Sequence, residues 1–258
     1  MDFLTAVCTD VGIYKNTNQD SLCLKQARTP EGTVIMAAIC DGMGGLSKGE
    51  VASATVVKAF SSWFDNELPA MMNTPSAEEI RFRWDEMITE LNLQIGNYGR
   101  SHNTSLGTTL TVLLIVDSFF TIIGHVGDSR VYKLNQKLEI LTEDQTVVGL
   151  EVKRGQMTWE EAENDSRKNV LLQCIGASKT VIPEFVVDVV EENCIYMICS
   201  DGFRHTITAN EIFDNFKPQI LTDEVIMRDK AVELVELNKA RNERDNISVL
   251  LIKTITGG

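Results

Sequence analysis

Positive charge is scarce in this chain beside its acids. Its 24 Lys and Arg face 37 Asp and Glu, for a net charge of −13 and an isoelectric point of about 4.7. No basic patch offsets the acid excess, so a nucleic-acid partner is not expected. No window approaches 18 continuous apolar residues, so nothing reads as a membrane span and no membrane partner is expected. The opening Met1-Asp2-Phe3-Leu4-Thr5 has no positive n-region and no long apolar h-region, which argues against a signal peptide. Six cysteines, at 8, 23, 40, 174, 194 and 199, include no Cys-x-x-Cys pair. Most lie in apolar strand-like runs, so reduced core thiols in a cytoplasmic protein are preferred over disulfides or zinc. Internal repeats and low-complexity linkers are also missing. A chain of 258 residues that is 43% hydrophobic can bury a sizeable core. Residues 1–258 are expected to be one soluble domain with a frayed Thr-Gly-Gly end.

Hydrophobic periodicity supplies the elements. Strands are expected at Phe3 to Thr9, Ser21 to Gln26 and Thr33 to Cys40. Ser47-Lys48-Gly49-Glu50 fits a capping box, with Leu46 and Val51 as a hydrophobic staple. Ala52, Val56, Ala59, Phe60 and Trp63 follow at helical spacing. Leu68 to Pro75 reads as a loop. Ser76-Ala77-Glu78-Glu79 starts a longer helix, whose buried face is expected to hold Ile80, Trp84, Met87, Ile88, Leu91, Ile95 and Tyr98. Strands then run from Thr108 to Val116, Phe119 to Val126, Arg130 to Leu134 and Leu138 to Leu141, with a hairpin turn at Asn135-Gln136. Residues 145–180 are polar and irregular, with a short helix beginning near Thr158. Strands return at Val181 to Val187 and Cys194 to Cys199. Helices follow near Ala209 to Phe216 and Asp223 to Asn238, and a last strand spans Asn246 to Lys253. Consecutive strands with helices in pairs argue against a doubly wound fold. The expectation is an α+β chain: two antiparallel sheets packed together, with helices outside.

What the sequence does have is aspartate at the ends of apolar runs. Asp41 ends the run from Val34, Asp128 the run from Phe119, and Asp201 the run from Cys194, while Asp245 precedes the last strand. Any one Asp-Gly is better read as a turn. Four acids at strand ends favour a hard-oxygen pocket for Mg²⁺ or Mn²⁺. Asp41, Asp201 and Asp245 carry −3 against +4 for two divalent cations, which leaves room for a phosphate. Paired cations can deprotonate a bridging water into a hydroxide nucleophile. Gly42, lacking a side chain, lets its carbonyl approach a metal.

These residues fall in an ordered series that resembles the metal-dependent serine/threonine protein phosphatases of type 2C, in their compact bacterial form. The series begins with Thr9-Asp10-Val11-Gly12 and Lys15-Asn16-Thr17-Asn18-Gln19-Asp20, then Asp41-Gly42-Met43-Gly44-Gly45. Gly107-Thr108-Thr109, Gly127-Asp128-Ser129-Arg130, Leu141-Thr142-Glu143-Asp144 and Asn169-Val170-Leu171 follow. Ser200-Asp201-Gly202-Phe203 and Arg244-Asp245-Asn246 complete it. The resemblance implies a four-layer α-β-β-α sandwich, a single catalytic domain over residues 1–258 with a flap at about 145–180, and hydrolysis of phosphoserine and phosphothreonine. It implies that Asp41 bridges two tightly bound Mn²⁺ or Mg²⁺ ions with the Gly42 carbonyl on one. Asp201 and Asp245 would hold the other ion, and Asp128 a third, weaker one. Lys15 would bind substrate phosphate, and Gln19 and Asp20 would orient metal-bound water. Phosphoprotein substrates, and a serine/threonine kinase sharing them, are the implied partners in bacterial signalling.

Departures from the family pattern bear on activity. Lys15 replaces an arginine and so lacks its bidentate fork. Gln19 replaces an acid, Met43 and Gln145 stand where histidines are common, and His205 stands where many members have an aspartate. A surface histidine with no metal role is the favoured reading of His205. One of His102 and His125 is expected to pack near the sheet and the other to be exposed. The competing function is a catalytically weak or silent phosphoprotein-binding module. Retention of Asp41, Asp201 and Asp245 favours the enzyme. A calcium-binding structural protein is disfavoured because no Asp-x-Asp-x-Asp-Gly loop is present.

Overall fold

The computed structural model describes residues 1–30, 32–43, 48–117 and 119–255. In chain order the elements are β1 (Asp2–Asp10), β2 (Asp20–Thr29), β3 (Gly32–Asp41), α1 (Gly49–Asn66), α2 (Leu68–Met71), α3 (Ala77–Ser101), β4 (Leu110–Val116), β5 (Phe120–Val126), β6 (Arg130–Leu134), β7 (Leu138–Ile140), α4 (Val147–Lys153), α5 (Trp159–Asn164), β8 (Glu184–Asp188), β9 (Ile195–Cys199), α6 (Asp201–Arg204), α7 (Ala209–Phe216), α8 (Glu224–Ala240) and β10 (Ile247–Ile255). They build two five-stranded antiparallel sheets, ordered β1-β10-β9-β6-β7 and β2-β3-β4-β5-β8.

Strand alternation generates the layers. Along β3, Val34, Met36, Ala38 and Cys40 pack toward Val56, Phe60, Trp63 and Trp84 of α1 and α3. The intervening Ile35, Ala37 and Ile39 face Val131, Ile198, Leu250 and Ile252 of the other sheet. In that sheet Met197, Cys199, Val249 and Leu251 turn outward onto Phe203, Phe216, Met227 and Leu234. Period-two alternation therefore feeds three apolar layers, and the result is a four-layer α-β-β-α sandwich. Strands covered on both faces read as unbroken apolar runs, which explains why β3, β4 and β9 are so uniformly hydrophobic.

Two local expectations need correction. Leu68 to Pro75 is not wholly a loop: Leu68–Met71 form the short helix α2, with proline in its first turn, where a missing N–H costs nothing. Tyr98 lies outside the buried face of α3, at 38% exposure, with its ring stacked on His102. Gly99, against the Thr104 carbonyl, takes the inward position. The Ser47 capping box and its Leu46 staple fall on residues outside the described ones. Lys48 serves as the N-cap of α1 in the left-handed region, with no side-chain cap. The second box is partly realised, since Ser76 caps α3 by accepting from Glu79 N at 3.3 Å. Within 145–180 two helices form, α4 capped by Thr146 and α5 by a full Thr158–Glu161 box. All six cysteines are free thiols. Among the described residues no helix is long and apolar enough to cross a membrane.

Candidate metal centre

Strand register, not sequence proximity, assembles the acidic cluster. In the β2·β3 ladder Asp20 lies directly opposite Asp41. Like charges in a cross-strand pair are unfavourable, and here the opposition is built into the end of a sheet. Asp41 is held by its backbone: its N–H donates to Thr109 Oγ1 at 2.9 Å, and its carbonyl accepts from Thr108 Oγ1 at 2.9 Å and from Thr109 N at 2.9 Å. Asp128 follows β5 at the same end of that sheet and is buried. The second sheet contributes Asp201, first residue of α6 directly behind β9, and Asp245, just ahead of β10. Gly202 keeps these two segments together, because a Cβ there would meet the Asn246 carbonyl oxygen at 2.2 Å.

The cluster is electrostatically tense. Burial, then the charges of Asp20, Asp201, Asp128 and Asp245, pushes the Asp41 carboxyl well above the usual range. Burial pushes Asp20 up to about 7. Ser200 and Ser248 oppose the rise, and Asp201 and Asp245 add to it. Neither Asp20 oxygen has a partner in hydrogen-bond geometry. Ser200 Oγ accepts from Ser248 N at 3.1 Å, and Ser248 Oγ is paired with Thr9 Oγ1 at 2.8 Å. Asp128 is pushed up to about 7 by burial and then by Asp201, while Arg204 works against the rise. Asp201 Oδ1 is also buried without a partner. Orphaned buried carboxylate oxygens cost free energy unless positive charge or a donor meets them. Among the described residues no three His, Cys, Asp or Glu side chains close into a ready ligand set. The carboxylates face one another closely enough to repel. Hard oxygen donors with unmet demand for positive charge fit Mg²⁺ or Mn²⁺.

The rim carries the remaining groups. Lys15 Nζ pairs with Asp245 Oδ1 at 3.0 Å, and both side chains are about one-third exposed. Gln19 Nε2 donates to Glu50 Oε2 at 3.3 Å, and the Gln19 carbonyl accepts from Gly42 N at 3.1 Å. Gly42 must be glycine for a reason beyond metal access: a Cβ there would lie 2.5 Å from the Gly49 backbone, where α1 begins. Asn246 ties the loop between β1 and β2 to β10, accepting from Gln19 N at 2.9 Å and donating to Val11 O at 2.9 Å.

His205 is not a plain surface residue. Its Nε2 lies 3.3 Å from Asp201 Oδ2 and its Nδ1 lies 3.5 Å from Glu243 Oε1. Burial depresses its pKa, but Glu243 and Asp201 outweigh that and leave it raised. Glu243 is itself buried. Its Oε1 accepts from Arg244 N at 2.8 Å and Asp245 N at 3.0 Å. Burial alone would raise its pKa, and His205 with those two N–H groups holds it below the ordinary value. One carboxylate thus fixes the Asp245 turn and reaches Asp201 through an imidazole.

A family model described as protein phosphatase 2C matches residues 14–225. The chain belongs to the protein phosphatase 2C family. It is 31% identical over 250 residues to protein phosphatase PhpP of Streptococcus pneumoniae, covering 96% of each chain. It is 33% identical over 250 residues to the serine/threonine phosphatase stp of Listeria welshimeri, covering 95% of this chain and 93% of that one. The solved structure of the S. agalactiae serine/threonine phosphatase superposes with a TM-score of 0.84 at 31% identity, over 98% of this chain and 100% of that one. The catalytic domain of the serine/threonine protein phosphatase PstP, solved with two manganese ions, gives a TM-score of 0.76 at 25% identity, over 98% and 99%.

Within this 2C-family chain, Asp20, Asp41, Asp128, Asp201 and Asp245 gather where the two sheets end, with Lys15, Gln19 and Gly42 at the rim. Sequence reasoning missed Glu243, Glu50 and the Gly42–Gly49 contact. Glu243 left one signal, an acid two residues ahead of Asp245 in the turn that follows a helix. His125, fully buried and bonded to Thr111 Oγ1 at 2.9 Å, is the histidine at the sheet, and His102 is exposed.

Proposed function

We propose that this chain hydrolyses phosphoserine and phosphothreonine in proteins, with two divalent cations, Mn²⁺ or Mg²⁺, held by the acidic cluster. The observation that carries the reading is the convergence of five aspartates from both sheets, with buried oxygens left unpartnered. The relatives named as serine/threonine phosphatases support the substrate class. Asp41 is assigned as the ligand shared by both cations, with the Gly42 carbonyl on one. Asp201 and Asp245 hold the other, and Asp128 serves a third, weaker site. When bound, such cations activate water at neutral pH and offset the charge that develops in phosphoryl transfer. Lys15, already drawn to the rim by Asp245, receives the substrate phosphate. Asp20 and Gln19 orient water at the centre. Glu243 and His205 hold Asp201 and Asp245 in mutual register.

Residues 1–258 act as one catalytic domain in this reading, and residues 145–180, which carry α4 and α5, act as a flap for the protein substrate. The substrates are products of a serine/threonine kinase, in cytoplasmic signalling. The test is phosphate release from a phosphothreonine peptide with Mn²⁺, with EDTA, and in Asp41→Asn. Activity that needs Mn²⁺ and collapses in the variant is expected. Near-normal turnover in Asp41→Asn at saturating Mn²⁺ refutes the two-cation centre.

A further inference from the structure

Beside the carboxylate cluster lies a cleft of about 570 Å³ between the 145–180 segment and α6–α7, within the usual size range of ligand sites. Its floor is Arg130, Tyr132, Asp144 and Arg204, and Trp159 and Lys168 stand on the flap side. The charge there opposes that of the whole chain. Among the described residues Asp144 is the one acid lining the cleft, and it serves two guanidinium groups. Arg130 grips it bidentately, Nε to Oδ1 at 2.7 Å and Nη2 to Oδ2 at 2.7 Å. Arg204 Nη2 shares Oδ2 at 3.1 Å. Among the lining side chains one negative charge faces two permanent positive ones, an excess that the Asp128 carboxyl beside Arg204 reduces. Lys168 enlarges it, being exposed and without an ion pair among the described residues. Trp159 is 64% exposed, a large apolar face at the open side. Arg204 and His205 join this cleft to the acidic centre, because Arg204 Nη2 also donates to the Asp128 carbonyl at 2.9 Å.

A cationic cleft on a chain of net charge −13 is a place where an acidic group is attracted and a basic one is not. We propose that the cleft seats the polypeptide flanking the phosphorylated residue and selects an acidic side chain there. Lys168 and the Arg130–Arg204 pair meet its carboxylate, and Trp159 covers the adjoining chain. This rests on the phosphatase reading above and adds the class of protein substrate that the site prefers.

The test compares fluorescein-labelled phosphothreonine peptides that carry glutamate, alanine or lysine at the flanking positions. Binding is followed by anisotropy and kcat/KM by phosphate release with Mn²⁺, in wild type, Lys168→Glu and Trp159→Ala. Among the described residues Lys168 and Trp159 form no hydrogen bond or ion pair with the five aspartates, so hydrolysis of a small aryl phosphate is expected to be unchanged in both variants. Wild type is expected to favour the glutamate peptide over the lysine peptide by about three- to tenfold in both readouts. Lys168→Glu is expected to erase or invert that preference, and Trp159→Ala to weaken all three peptides together. Equal binding and equal kcat/KM across the peptides in wild type overturns the proposal. So does a preference that survives Lys168→Glu intact. A chain that turns over no peptide yet binds the glutamate peptide more tightly refutes the phosphatase reading and supports the cleft.

Discussion

Glu243→Ala is the substitution with the most separable consequences. The side chain is buried, and one oxygen accepts from two backbone N–H groups, at 2.8 and 3.0 Å, and faces the His205 imidazole at 3.5 Å. Removing it leaves two donors unmet in the turn that presents Asp245 and frees the ring that faces Asp201. Loss of hydrogen bonds to a charged, buried acceptor predicts a stability loss of ~3 kcal/mol. Glu243→Gln keeps an acceptor in place and loses the charge, so ~1 kcal/mol is expected. Groups that orient metal ligands typically change affinity by about 10–100-fold. Mn²⁺ binding is therefore expected to weaken at least about tenfold in the alanine variant, and less in the glutamine one. Urea unfolding in EDTA reads the first quantity, and calorimetric titration of Mn²⁺ reads the second. The order wild type, glutamine, alanine should hold in both. An alanine variant within about 0.5 kcal/mol and about twofold in Mn²⁺ affinity would show that the strap is decorative. A double-mutant cycle with His205→Ala should show coupling of ~1 kcal/mol or more.

Lys15→Ala should mainly raise KM, by about ten- to hundredfold for a charge-assisted phosphate contact, while Lys15→Arg is tolerated; unchanged kinetics in the alanine variant would reduce Lys15 to surface charge. Asp128→Ala should keep two tightly bound cations yet lose much of its turnover, and identical Mn²⁺ stoichiometry, affinity and turnover would remove the third site. In EDTA, Asp20 and Asp128 titrate near 7 in the folded state against 3.8 for an ordinary aspartate. The folded chain then holds protons that the unfolded chain has lost, so stability should fall as pH rises from about 4 to about 7. The raised His205 pKa acts in the same direction, its contribution being lost as pH rises through the folded value. Mn²⁺ should reverse the trend, and a flat urea midpoint across that range in EDTA would refute the tension assigned to the cluster.

The layered fold was legible because each of its strands advertises both faces. The run Val34 to Cys40 can be apolar throughout only when helices cover one side and a sheet the other, as observed. The acidic site was legible for a related reason: an aspartate that ends an apolar run sits on rigid scaffolding. What stayed hidden depended on partners distant in sequence. Nothing near Gly42 announces Gly49 as a steric neighbour, and nothing near His205 announces Glu243, 38 residues on. Lys15 lies at the rim of the aspartate cluster, and its pairing with Asp245 required the fold. The short helix α2 escaped the reading because Leu68 to Pro75 carries two prolines, and tertiary packing decides whether such a stretch turns helical.

The split origin of the aspartates has a thermodynamic reach of its own. Asp20 and Asp41 end strands of one sheet, Asp128 lies in the link between the two sheets, and Asp201 and Asp245 adjoin strands of the other. Any ion that engages both groups can bind only while the sheets are seated on each other through Ile35, Leu113, Ile198 and Leu250. By mass action, cation binding then draws on and reinforces the middle layer of the sandwich. A methyl group removed from Ile198 or Leu113 lowers the unfolding midpoint, and added Mn²⁺ is expected to raise that midpoint again. An unfolding curve taken with and without Mn²⁺ thus reads the core and the metal site together.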